Sequence, residues 1–196
     1  VYNGVAPPTP RAGRSPLVRD GQRTIALVGG VCLRKGQLDV QPALTALVDR
    51  RPDIDVVFAG RAAGAEGRAL RRAVEGNPQM RITGFVADVA SHLTDVDLVI
   101  VPSRSEGFGR VAVEALRAGT PVLAQRVEGL VEALRDVPDP WLGHPDRWSE
   151  RIEAELDAPH VSPEGLRSAG ARFAPEAFVD GVLTAYRDVC SMEAAP

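Results

Sequence analysis

The segment DLVIVPSRSEGFGRVAVEALRAG, residues 97–119, joins a short apolar run, a loop with two glycines and a helical pattern. Its first part is rich in Val, Ile and Leu, which is typical of a parallel strand covered on both faces. Its last part, Phe108–Ala118, repeats apolar residues at helical spacing. A strand, a loop and a helix in succession form the repeating unit of a parallel sheet. The segment therefore predicts an α/β fold.

The same alternation continues on both sides of this segment. We predict strands at Thr24–Val28, Asp55–Ala59, Met80–Ile82, Asp97–Val101 and Pro121–Ala124. We predict helices between them at Gln37–Arg50, Gly67–Val74, Asp88–Thr94 and Phe108–Ala118. A strand remnant is also expected in the Pro- and Arg-rich opening before Gly21. Right-handed crossovers then give a Rossmann-like open parallel sheet of about six strands with helices on both faces.

Beyond Val131 the pattern changes to helices alone. The predicted helices are Asp146–Leu156, Pro163–Phe173 and Pro175–Val189. Proline is well tolerated in the first helical turn, which favours starts near Pro145, Pro163 and Pro175. We therefore predict one α/β domain over residues 23–196, preceded by a connecting segment and loop over residues 1–22.

Composition argues against one class of partner, nucleic acid and other polyanions. The 196 residues carry 23 basic and 26 acidic side chains, a net charge of −3, which does not favour binding to nucleic acid or another polyanion. Hydrophobic residues make up 44% of the chain, enough to form a core without metal or disulfide support.

The cysteine count and the lack of long apolar runs bear on location. Cys32 and Cys190 are the two cysteines, and no run approaches the ~18 apolar residues of a membrane span. These features predict a cytoplasmic, reducing location. The sequence opens at Val1 without a signal pattern, so we expect a piece of a longer protein. Nothing here indicates membrane contact, and peripheral membrane association of the longer protein stays open.

Ligands of open parallel sheets bind beyond the carboxyl ends of the strands, which directs attention to the loops there. The loop after the first predicted strand, Gly29–Gly36, carries Lys35, the one lysine among 22 arginines. A glycine-containing loop that brings a cation to the next helix is typical of a phosphate site. The alternative is a surface lysine beside a helix start.

The loop after the fourth predicted strand carries Glu106, Gly107 and Gly109 into the helix that contains Glu114. Glycines at a helix N-terminus let backbone N–H groups approach an anion, and the helix dipole favours negative charge there. Two carboxylates around such a phosphate cradle suit the hydroxyls of a sugar nucleotide. The alternative for Glu114 is a solvated helix face, where Arg110 and Arg117 would form ion pairs with it.

The same stretch also matches a variant dinucleotide-binding pattern, Gly107-x-Gly109-x-x-Ala112, with the acidic Glu128 further on. Residues 103–106 separate these glycines from the strand, and Glu106 would face a pyrophosphate with its own charge. A dehydrogenase is therefore disfavoured.

No metal site is predicted from the acidic pairs or the histidines. Asp53/Asp55 and Asp95/Asp97 precede strands, so they fall at the edge opposite the ligand loops and are expected to be solvated strand starts. His92, His144 and His160 lack the spacing of metal ligands or of a catalytic triad.

With these residues in place, the chain from about Val1 to Val189 resembles the C-terminal, donor-binding half of a GT-B fold glycosyltransferase of the retaining family 4 type (glycosyl transferases group 1). The resemblance rests on short motifs distributed along the chain: Asn3-Gly4-Val5, Lys35-Gly36, Pro102-Ser103, Glu106-Gly107-Phe108-Gly109, Glu114-Ala115, Gly119-Thr120-Pro121-Val122 and Gly129–Glu132.

The resemblance implies a role for each site residue. Glu106 would contact the donor sugar, and Glu114 would hold the ribose hydroxyls. Lys35 and the backbone amides of the Gly107-Phe108-Gly109 turn would bind the diphosphate, and Phe85-Val86 would flank the base. Basic side chains and the helix dipole would neutralise the leaving diphosphate, so neither a metal nor another cofactor is expected.

Two positions depart from the pattern of the family. Gly30 stands where an arginine usually follows the glycine that ends the first strand, which removes one diphosphate contact and leaves Arg34 or Arg61 to replace it. Glu128 replaces the first glycine of the pair that usually precedes Glu132.

The resemblance implies transfer of a sugar from a nucleoside diphosphate sugar to an acceptor with retention. The acceptor site would lie in an N-terminal domain that this sequence lacks, residues 1–22 would be the interdomain connection, and the fragment alone would be inactive. Two alternatives stay open: a degenerate GT-B domain that binds without catalysis, and a GT-B sugar-nucleotide epimerase.

Overall fold

A computed structural model describes residues 2–193; Val1 and residues 194–196, which the predicted segments include, lie outside the described residues. Five parallel strands form one sheet in the order β3-β2-β1-β4-β5. They are β1 (Arg23–Val28), β2 (Ile54–Ala59), β3 (Met80–Gly84), β4 (Leu98–Val101) and β5 (Val122–Ala124). The predicted Rossmann-like α/β fold is confirmed.

Eight α-helices follow or connect these strands in the described residues. They are α1 (Gln37–Val48), α2 (Gly64–Val74), α3 (Val89–Leu93), α4 (Arg110–Ala118), α5 (Glu128–Ala133), α6 (Trp148–Asp157), α7 (Pro163–Gly170) and α8 (Pro175–Glu193). Helices α7 and α8 begin at the prolines that predicted them, and α6 follows a 3-10 turn at Pro145–Arg147.

Alternate residues of β1, β2, β4 and β5 enter two separate cores, one on each face of the sheet. Ala26 of β1 packs with the apolar residues of α4, α5 and α7. Its neighbours Ile25 and Leu27 pack with those of α1, α2 and α6. Because both faces are covered, these four strands are apolar almost throughout, which is the pattern that predicted them.

The described structure has five strands, slightly fewer than the predicted number of about six. Residues 2–22 contain no strand. Four prolines in this segment lack the backbone N–H that strand pairing needs. The segment is therefore irregular, without helix or strand. Val5 donates its N–H to the Phe173 carbonyl at 2.8 Å, and Leu17 is fully buried.

The acidic pair at the start of β2 also differs from its prediction. Asp53 is partly exposed, but Asp55 is fully buried rather than solvated. A guanidinium nitrogen of Arg81 lies 2.8 Å from the Asp55 carboxylate, and one of Arg19 lies 3.2 Å from it. Asp55 is enclosed because β2 lies between β1 and β3 in the sheet. Two arginines distant in sequence neutralise its carboxylate.

Within residues 2–193, no helix combines the length and the apolar character needed to cross a membrane.

Candidate functional site

The loops after β1 and β4 are locked together at the carboxyl edge of the sheet. The Arg104 N–H donates to the Arg34 carbonyl at 2.8 Å. Gly36 has a φ of 67°, and a Cβ there would collide with the Pro102 carbonyl oxygen, so this close approach requires glycine. The Arg104 guanidinium also makes two hydrogen bonds of 2.7 Å to Asp39 in α1.

This loop packing brings Lys35 and Glu106 into direct contact. The Lys35 ammonium donates to Glu106 Oε1, and the Ser103 hydroxyl donates to the same oxygen at 3.0 Å. The Arg34 Nη1 atom lies 3.7 Å from Glu106 Oε2, and it donates a hydrogen bond to the Ser105 carbonyl at 3.2 Å. Glu106 is only 10% exposed. Two cations and a hydroxyl therefore hold one carboxylate in place at the mouth of the site.

Helix α4 begins directly beside this pair. Its N-cap residue, Gly109, has a φ of 76°, and a Cβ there would press on the Leu130 side chain. Gly107 is exposed, with open space where a Cβ would lie. The first turn of α4 carries no acidic residue. The Ala112 and Val113 N–H groups donate to the Gly109 carbonyl, so the N–H groups of Arg110 and Val111 and the helix dipole are available to an anion without competition from an acid in that turn.

The Phe108 ring turns away from this opening. It packs on Tyr2 and, edge to face, on Phe173, with centroid distances of 6.5 and 5.5 Å. A ligand at the helix mouth would therefore meet the Phe108 backbone and not its ring.

Glu114 lies one turn into α4 and is only 7% exposed, so a solvated helix face is the wrong description. The Arg110 guanidinium donates to its carboxylate at 2.8 Å, whereas Arg117 donates to the Gly170 carbonyl at 3.3 Å. Burial raises the pKa of Glu114, and the Arg110 hydrogen bond opposes that shift. The fold thus holds a carboxylate with one exposed partner in a largely dry position.

The residues predicted to flank the base lie past the end of β3. Phe85 is 83% exposed, and Val86 is half-buried against the apolar core. The structure brings Arg34, Lys35 and Glu106 into contact, with Gly107–Gly109 next to them in the chain. Within the described residues, no hydrogen bond or ion pair links Phe85 or Val86 to that group.

Sequence reasoning missed the short helix α5, which supports the Glu106 loop. The Gly129 N–H donates to the Glu106 carbonyl at 3.2 Å, and a Cβ at Gly129 would collide with the same oxygen. A cavity of about 330 Å³ lies here, lined by Arg104, Ser105, Glu106, Arg126, Val127 and Glu128. The apolar residues at 130, 133 and 134, at helical spacing, were the available signal for α5.

No cluster of three or more His, Cys, Asp and Glu side chains able to hold a metal ion occurs among residues 2–193.

Comparison with known proteins decides the family. The model of the family described as Glycosyl transferases group 1 matches residues 22–157. The chain belongs to this family. The predicted family is thereby confirmed, and the match spans β1 to β5 and the loops that carry Lys35, Glu106 and Glu114.

Curated relatives of this group 1 chain carry the name D-inositol 3-phosphate glycosyltransferase. The one from Segniliparus rotundus is 35% identical over 193 residues, which covers 90% of this chain and 42% of that protein. The one from Acidothermus cellulolyticus is 45% identical over 97 residues, 46% of this chain and 21% of that protein. The chain thus spans less than half the length of these relatives.

Two solved structures share the fold. Anabaena HepE in complex with UDP-glucose superposes with a TM-score of 0.73 at 21% identity, over 85% of this chain and 49% of that one. A glycosyltransferase from Rickettsia africae superposes with a TM-score of 0.78 at 17% identity, over 88% and 49%. The match covers about half of each of these two solved chains.

Proposed function

We propose that this chain binds a nucleoside diphosphate sugar and forms the donor half of a retaining glycosyltransferase. The observation that carries the proposal is the cluster of Lys35, Arg34 and Glu106 at the N-terminus of α4. It combines positive charge for a diphosphate with a carboxylate for sugar hydroxyls. The group 1 family match makes this chemistry the expected one.

Each side chain has a part in this proposal. Lys35, with the N–H groups at the start of α4, binds the diphosphate and stabilises the charge that develops on it as the glycosidic bond breaks. When the diphosphate binds, Lys35 divides its hydrogen bonds between the phosphate and Glu106. Glu106 then accepts hydrogen bonds from the donor sugar.

Glu114 and the loop after β3 hold the nucleoside. The buried Glu114 carboxylate accepts hydrogen bonds from the ribose hydroxyls, which replace the water that its burial removes. Phe85 and Val86 flank the base, where the exposed Phe85 ring provides a face for stacking. Cationic side chains and the helix dipole neutralise the leaving group without a metal.

The acceptor site belongs to a preceding N-terminal domain in this proposal. The share of the relatives that the chain matches, 42% of the Segniliparus rotundus protein, supports such a division. UDP is the first nucleotide to test because HepE was solved with UDP-glucose. With one wall of the cleft present, the chain alone binds nucleotides weakly.

Titration calorimetry of the 196-residue chain with UDP, GDP and ADP tests donor binding. We expect one of the three to bind. Transfer is assayed on the protein with its N-terminal domain, and NMR of the product gives the anomeric configuration. A retained configuration supports the proposal, whereas inversion refutes the retaining mechanism.

A non-catalytic binding module is the second candidate, favoured by two observations. Gly30 is exposed and offers no charge at the strand end, and Glu128 lines the same cavity as Glu106. This candidate predicts nucleotide binding without transfer or hydrolysis. An epimerase would instead convert the nucleotide sugar with no acceptor present, so the same assay separates the three functions.

A further inference from the structure

Gly29 and Gly30 lie where the loop after β1 meets the loop after β2, and the Gln37 side-chain amide donates to the Gly30 carbonyl at 3.2 Å. The Gly29 N–H donates to the Ala59 carbonyl, and the Val31 N–H donates to the Arg61 carbonyl, both at 2.9 Å. A Cβ at Gly60 would collide with the Gly29 carbonyl oxygen, so the two loops are in backbone contact. Gly30 itself is exposed.

Two cationic residues, Lys35 and Arg61, lie next to this glycine pair, the first through its side chain and the second through its backbone. The Lys35 Cε atom is 3.6 Å from where a Cβ of Gly29 would be. The Arg61 carbonyl oxygen is 3.8 Å from where a Cβ of Gly30 would be. The Lys35 side chain and the backbone of Arg61 therefore flank the glycine pair, and the exposed Arg61 side chain starts beside Gly30.

The cations around the site differ in what they already bind. Arg34 and Lys35 contact Glu106, Arg104 contacts Asp39, and Arg110 contacts Glu114. Arg126 lies over the Trp141 ring, 5.5 Å from its centroid. Arg61 is exposed, and its guanidinium has no hydrogen-bond or ion-pair partner within residues 2–193.

We infer that Arg61 is the second diphosphate-binding cation of the site, acting opposite Lys35 across the Gly29–Gly30 backbone. A guanidinium binds phosphate oxygens through two parallel hydrogen bonds. Arg61 can do so without giving up an existing partner, whereas Arg34 already contacts Glu106 and the Ser105 carbonyl. The inference rests on the proposed donor-binding function and names the residue that compensates for the missing side chain at Gly30.

The first test compares Arg61→Ala with Arg68→Ala by titration calorimetry. Arg68 is a matched control because it is an exposed arginine on α2, also without a partner in the described part of the chain. The probes are UDP, GDP and ADP and their nucleosides. We expect Arg61→Ala to weaken nucleoside diphosphate binding by about tenfold or more, with nucleoside binding unchanged. Arg68→Ala should leave both unchanged.

The second test is rescue by the neighbouring loop. Gly30 is not in the left-handed region, and the space around its Cβ position is open, so Gly30→Arg introduces a guanidinium without backbone strain. We expect Gly30→Arg to restore diphosphate binding in the Arg61→Ala background. Arg61→Lys should recover part of the affinity, since an ammonium provides charge without the paired geometry.

The outcomes separate this inference from the function on which it rests. If the wild-type chain binds none of the three diphosphates, both are refuted. If it binds one of them and Arg61→Ala behaves like Arg68→Ala, donor binding stands and the role of Arg61 is refuted. Equal losses for nucleoside and diphosphate in Arg61→Ala also refute it, because a phosphate contact affects the diphosphate alone.

Discussion

Replacing Glu114 with glutamine separates binding from stability at one side chain. The carboxylate is 7% exposed, and its ion-pair partner Arg110 is 78% exposed. A pair with so exposed a partner contributes about 0.3–0.5 kcal/mol to the free energy of unfolding. Burial of the charge acts in the opposite direction, as the raised pKa of Glu114 indicates. We expect Glu114→Gln to change the unfolding free energy by less than about 1 kcal/mol.

The pH dependence has a definite sign. Because the native pKa of Glu114 lies above that of the unfolded chain, the folded protein holds this proton more tightly. The resulting stability is complete below the unfolded pKa and is lost as the pH rises through the native pKa. A glutamine at position 114 does not titrate, so the Glu114→Gln variant does not lose this stability as the pH rises. Its stability relative to wild type should therefore be greatest near neutral pH and decline under acidic conditions.

Nucleotide affinity should respond in the same variant much more strongly. Loss of charge-assisted hydrogen bonds to the ribose should weaken binding by about 1–3 kcal/mol, or about 5- to 150-fold in Kd. Arg110→Ala is the control, since it leaves the carboxylate in place and should lower stability while largely preserving affinity. Calorimetric titration and chemical denaturation measure the two effects. Unchanged affinity in Glu114→Gln, with stability reduced as in Arg110→Ala, would refute the ribose assignment.

Three further changes test other parts of the account. Lys35→Ala should weaken UDP binding by about 1.5–3 kcal/mol and leave uridine binding unchanged; equal losses on both would contradict a phosphate contact. Arg81→Ala leaves the buried Asp55 carboxylate short of its main partner and should lower the unfolding free energy by about 3–5 kcal/mol in urea denaturation; a loss below 1 kcal/mol would contradict it. Gly36→Ala should lower the thermal midpoint and UDP affinity together, because the new methyl group displaces the Pro102 loop; an unchanged midpoint would show that the loops tolerate it.

The parallel sheet was predictable because strands buried on both faces leave an unambiguous apolar signal. The five strands predicted with bounds each match an observed strand, with ends that differ by no more than about two residues. The missing sixth strand has a physical reason in the prolines of the opening segment. Helix α5 was missed because its six residues give too short a periodic pattern to predict a helix.

The site was predictable at the level of loops but not of contacts. The rule that ligands bind at the carboxyl edge of a parallel sheet is enough to select the loops with Lys35 and Glu106 from the sequence. It did not predict that these two side chains pair with each other, since that contact depends on the glycine packing at Gly36. Sequence spacing likewise could not show that Glu114 is buried, because its exposure is set by elements distant in the chain.

Backbone amide mapping by NMR during titration with UDP, GDP and ADP tests the central claim most directly. The account predicts that at least one nucleotide shifts the amides of Gly29–Lys35 and of Gly107–Glu114 together, since both segments contact one diphosphate. A different cavity of about 540 Å³, lined by residues including Trp141, His144 and Arg151, serves as the internal control and should stay unperturbed. Shifts confined to that cavity, or no shifts with any of the three nucleotides, would contradict the account.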